Sequence, residues 1–107
     1  LFDIDDPTNK TIEYAIFFDQ KINVNFAELL LKVASFMFES EPTMFFNTEL
    51  REKLNLTQNS SELRRELKIS STYFIEGNLS AKAIVDKIKM ILEKFSITDE
   101  LYIKFKE

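Results

Sequence analysis

The chain has 107 residues, enough for one domain whose core hides roughly two-thirds of the surface exposed on unfolding. Its 45% apolar content with eleven Phe argues against disorder, and its net charge of −4 argues against a whole-domain nucleic-acid footprint, which would be basic. The absence of Cys and His excludes disulfides, thiolate chemistry, catalytic triads and zinc sites, and a single Gly excludes the phosphate-cradling loops.

Charge is uneven along the chain. Residues 1–50 carry three bases against nine acids, and residues 51–107 carry eleven bases against nine. No apolar run is long enough to span a bilayer, because Glu28, Lys32 and Ser35 interrupt the longest one. The acidic start lacks the basic character of a targeting sequence, and Cys-free usage fits a reducing compartment, so a cytoplasmic setting is expected. A first residue other than Met suggests a trimmed chain or a domain cut from a longer one. The four Asn-x-Ser/Thr matches are those expected by chance in an Asn- and Ser-rich chain.

Residues 1–10, with Asp3, Asp5, Asp6 and Pro7, read as a linker or loose terminus before a single domain over 11–107. The carboxylates do not make a calcium loop, since Thr8 and Tyr14 stand where that loop needs Gly and Glu. Residues 11–18 alternate as a strand, with Ile12, Tyr14, Ile16 and Phe18 on one face and Ala15 and Phe17 on the other. Asp19-Gln20-Lys21 is the expected turn, leading to a short return strand at 22–24. Asn25-Phe26-Ala27-Glu28 forms a capping box that starts a helix running to about Glu39. That helix is apolar enough to touch two layers of neighbours, or a partner.

Pro42 opens a new element, and 42–54 is expected as one helix or two short ones. Met44, Phe45 and Phe46 stand in a row and cannot all point inwards from a helix, so one of them covers a loop or forms a sticky patch. Residues 55–61 read as polar loop, and 61–67 as a single helical turn. The run at 72–76 reads as a strand. Gly77 or Asn78 is expected at positive φ, and Asn78 or Ser80 as the helix cap. Over 80–95, Ala81, Ile84, Val85, Ile88, Ile91, Leu92 and Phe95 give a helix with one buried face. A half-buried strand follows at 101–106. The expected class is α+β: a small mixed sheet, two main helices and a C-terminal β-α-β unit, whose strands would be parallel if they were neighbours.

Little catalytic chemistry remains. Glu66-Leu67-Lys68 matches the Glu-x-Lys end of a metal-dependent nuclease pattern, but no Asp stands a short distance upstream on a strand. Asp86 and Glu93, flanked by lysines, look like a salt-bridged surface. For DNA, Arg51, Lys53, Arg64, Arg65 and Lys68 are the one cluster, and 49–68 can be threaded as helix–turn–helix. Four interleaved glutamates make a solvated mixed-charge face the competing reading.

Several stretches together resemble a module found at the C-terminal ends of bacterial restriction and other phage-defence proteins. The matching order is the strand and capped helix of residues 12–38, Glu41-Pro42 with Phe45 or Phe46, and Ser60-Ser61-Glu62-Leu63-Arg64. The most specific part follows, Tyr73-Phe74-Ile75-Glu76-Gly77-Asn78-Leu79-Ser80-Ala81. The chain departs from that pattern in carrying only 55–59 where a longer, more basic and aromatic insert is usual. The resemblance implies an accessory module beside a nuclease, methyltransferase or similar effector, and supplies no catalytic residue and no cofactor. A non-enzymatic domain recognising a protein partner or its parent chain is therefore expected, with Phe36, Phe45, Phe46, Glu76, Asn78 and Ser80 as candidate contacts. DNA binding through the 51–68 cluster is the alternative, and the nuclease reading a remote third.

Overall fold

The computed structural model describes residue 4 and residues 6–106, without the Thr48 side chain. The sequence Ile-Glu-Tyr-Ala-Ile-Phe forms β1 (Ile12–Phe17), which returns through a two-residue turn into β2 (Gln20–Ile22). The turn is Phe18-Asp19, one step before the expected Asp19-Gln20-Lys21. Both residues have positive φ, 48° and 65°, as a tight hairpin turn matched to strand twist requires. Phe18 is an unusual occupant, and its ring packs edge-on to Phe17 and tilted against Phe36.

A bulge between Ile12 and Tyr14 changes which residues of β1 face inwards. The extra residue carries Ile12 onto the face of Ala15 and Phe17, all three buried, and leaves Tyr14 and Ile16 on the outer face. The expected grouping of Ile12 with Tyr14, Ile16 and Phe18 is corrected by that one inserted residue.

α1 (Phe26–Ser40) starts at the expected capping box: the Glu28 N–H donates to Asn25 Oδ1 at 2.8 Å, and the Asn25 N–H donates to Glu28 Oε1 at 3.0 Å. Its apolar stripe buries Leu29, Leu30, Val33, Ala34 and Met37 against α3 (Ala81–Lys94) and β1. The 42–54 stretch is two elements, a 3₁₀ turn (Pro42–Phe46) and α2 (Thr48–Leu54), capped by the side chain of Asn47 and closed by Asn55 in the left-handed region. After a short 3₁₀ turn (Ser60–Glu62) come β3 (Glu66–Lys68) and β4 (Phe74–Glu76). Ser80 caps α3 by accepting from the Ala83 N–H at 3.2 Å, and β5 (Leu101–Phe105) ends the fold.

The structure is a small α+β fold, as expected, with three helices and two antiparallel sheets among the described residues. One sheet has the order β2-β1-β5, and the other pairs β3 with β4. The strand–helix–strand order at the C-terminus exists, yet β4 and β5 lie in different sheets. Thr57 bridges the second edge of β4 at Phe74, while Leu101 and Ile103 of β5 match the buried Phe17 and Ala15 of β1. Among the described residues, no parallel pairing forms. The β1–β5 ladder also joins the two ends of the fold, where the Lys106 N–H donates to Thr11 O at 2.8 Å. The stretch read as linker or loose terminus is docked in part: Pro7 is fully buried, and Ile4 packs against the core. Asp3 and Asp5 lie outside the described residues.

Candidate functional site

The row Met44-Phe45-Phe46 resolves in an instructive way. The 3₁₀ turn sends Phe45 wholly inside, against Phe38 and Phe95 with ring centroids 5.3 and 5.7 Å away. Its neighbour Phe46 is turned out and stays 40% exposed, stacking edge-on to Tyr73 at 5.2 Å and to Phe38 at 5.9 Å. Phe46 stands at the wall of a groove of about 530 Å³, lined also by Arg51, Glu52, Leu56, Thr57, Glu62 and Leu63. Leu56 and Leu63 supply apolar floor, while Arg51 and the two glutamates supply a charged rim. The Thr57 hydroxyl donates to Glu62 Oε2 at 3.2 Å and ties one side of that rim together.

Of the expected contacts, Phe46 and the neighbouring Arg51 share this groove. Phe45 is core. Phe36, 46% exposed, belongs to a separate shallow pocket of about 220 Å³ at the β1–β2 hairpin, where it packs against Phe17 and Phe18.

Glu76 has a different job. Its carboxylate accepts backbone N–H groups from Arg64, Arg65 and Asn78, each at 3.0 Å. Partial burial pushes its pKa up, and the N–H donors outweigh that, so the carboxyl sits below its ordinary value. These bonds staple the 63–65 loop to the end of β4, and Asn78 joins through its backbone. Gly77 has no positive φ, contrary to expectation, and neither does Asn78. Gly77 is required by space: a Cβ there would lie 2.7 Å from Leu67 Cγ.

The basic cluster is divided among elements of different kinds. Arg51 and Lys53 are on α2, Arg64 and Arg65 lie in the loop before β3, and Lys68 is at the end of β3. The helix–turn–helix threading is overturned, because residues 61–67 give the end of a 3₁₀ turn, a loop and a strand in place of a second helix. Glu66 and Lys68 point outwards on either side of buried Leu67. Among the described residues, no group of three or more Asp, Glu, His or Cys could hold a metal ion. Asp86 pairs with Lys82 at 3.0 Å, as its surface spacing suggests. No helix is long and apolar enough to cross a membrane among the described residues.

Tyr73, Leu56 and Leu63 complete the site and are not among the contacts expected from the sequence. Tyr73 had a signal in the aromatic start of the 73–81 motif. Leu56 lies in the 55–61 stretch that its polar neighbours mark as loop, and Leu63 in the 61–67 stretch expected as a helical turn. The fold and the groove together define a small α+β domain with a solvent-open aromatic cleft. No family, curated protein or solved structure matches the chain.

Proposed function

We propose that this domain is a non-catalytic interaction module that grips an extended segment of a protein partner in the groove walled by Phe46. The observation that carries this reading is the exposed Phe46 ring, backed by Tyr73 and Phe38, over an apolar floor with a charged rim. Aromatic anchors beside a polar rim are where binding energy concentrates in protein interfaces. The rim holds Glu52 and Glu62 against Arg51, so the fitting segment has an apolar anchor next to a basic residue. The resemblance at 73–81 points to a restriction-like or phage-defence parent, and Cys-free usage to the cytoplasm.

Selection of displayed random peptides on the domain tests this reading. Enriched sequences should share an apolar residue beside Lys or Arg, and Phe46→Ala should weaken their binding about tenfold or more. Enrichment that ignores Phe46→Ala, or no enrichment at all, overturns it.

A further inference from the structure

The face of the three-stranded sheet turned away from the helices carries a second, unlike surface. The ladders place Tyr14 and Ile16 of β1, Tyr102 and Lys104 of β5, and Lys21 of β2 on it. An open sheet face is ordinarily covered with polar residues. Here Tyr102 is 51% exposed, and neither Tyr14 nor Ile16 joins the core. The two tyrosine rings lie side by side, centroids 6.4 Å apart and tilted by 46°. Lys21 Nζ lies over the face of the Tyr14 ring, 4.4 Å from its centre, and Lys104 is opposite Tyr14 in the β1–β5 register. Cations therefore flank the aromatic pair from both outer strands. The acid of β1, Glu13, sits at the bulge.

We infer that this face binds a short single-stranded nucleic acid, with a base stacked on the exposed Tyr102 ring and phosphates met by Lys104 and by Lys21, which Tyr14 holds in place. An open π face beside two lysines matches an unstacked base on an anionic backbone. A duplex keeps its base faces within its own stack and offers such a platform nothing to stack on. The site is distinct from the Phe46 groove and from the 51–68 basic cluster. The domain's net charge of −4 keeps the binding modest and sensitive to salt.

Fluorescence anisotropy of short dye-labelled oligothymidine and oligouridine with the whole chain, across a salt series, tests it. Saturable binding is expected, about tenfold weaker in Tyr102→Ala and retained in Tyr102→Phe, which keeps the stacking ring. Lys21→Gln should lower the salt slope by about 0.7, one phosphate's worth on a single strand, and Lys32→Gln on α1 should leave it unchanged. Tyr102 is half exposed, so the variants keep the fold, which a thermal melt checks. Absence of binding at low salt, equal affinity in Tyr102→Ala, or equal competition by a duplex of the same sequence overturns the assignment. So does binding that is lost in Phe46→Ala instead.

Discussion

Two regions of this molecule share one core and differ in how much side-chain-to-backbone bonding they add to it. The half built from α1, α3 and the three-stranded sheet rests on burial: Leu29, Leu30, Val33, Ile88, Ile91 and Leu92 have no exposure. The segment 47–78 is made of short elements, and side-chain-to-backbone bonds recur along it. Asn47, Asn59, Ser70 and Glu76 each accept backbone N–H groups there. Burial is non-directional and tolerates shared loss, whereas a staple fails at one atom. The difference teaches where a groove can be placed: the stapled segment buries Leu50, Leu54, Leu67 and Ile75 in the shared core and still leaves Leu63 half-buried beside Phe46.

The largest expected effect is at the plug between the two regions. Phe45→Ala should cost about 3–5 kcal/mol in denaturant unfolding, and Phe46→Ala, one residue on, less than a third as much. Similar losses at both positions would mean that the groove wall is part of the core. A middle effect is expected for Gly77→Ala, about 1–3 kcal/mol, because the new methyl meets Leu67 at the β3–β4 pair. A neutral result would show that the stapled segment can give way by several tenths of an ångström.

The smallest expected effect is Glu76→Gln, about 1 kcal/mol near neutral pH. Its sign with pH is fixed by the direction of the shift. The folded pKa lies below the ordinary 4.5, so the stabilisation is full above that value and fades as pH falls through the folded pKa. Melting curves of the two proteins should converge on acidification. Parallel curves down to strongly acid pH would mean that the carboxylate charge contributes nothing to the staple.

The same division sets how much the sequence discloses. α1 and α3 are legible because a capping residue and a long apolar period act within one segment, at Asn25 and at Ser80. The β1–β2 hairpin is legible to within one residue. The bulge at Ile12/Tyr14 is not, since alternation alone assumes an unbroken ladder. Nor is the separation of β4 from β5, because strand partners are chosen by non-local packing: Leu101 and Ile103 meet residues more than eighty positions away. Gly77 misled in another way. A lone glycine before a helix suggests positive φ, and only the Leu67 side chain from β3 reveals a steric reason. The Phe46 half of the groove is visible as a surplus aromatic. The Tyr73, Leu56 and Leu63 half depends on the path of loops that no period describes.

The β1–β5 ladder has a topological consequence. With Thr11 and Lys106 hydrogen-bonded to one another, the first and last strands of the fold are held side by side. The stretch before Thr11 runs on over the core through Pro7 and Ile4, so that docked segment guards the same end of the ladder. The ladder ends at Thr11 and Lys106 can be linked and the chain reopened at the exposed Gln58, giving a circular permutant with the ladder covalently closed.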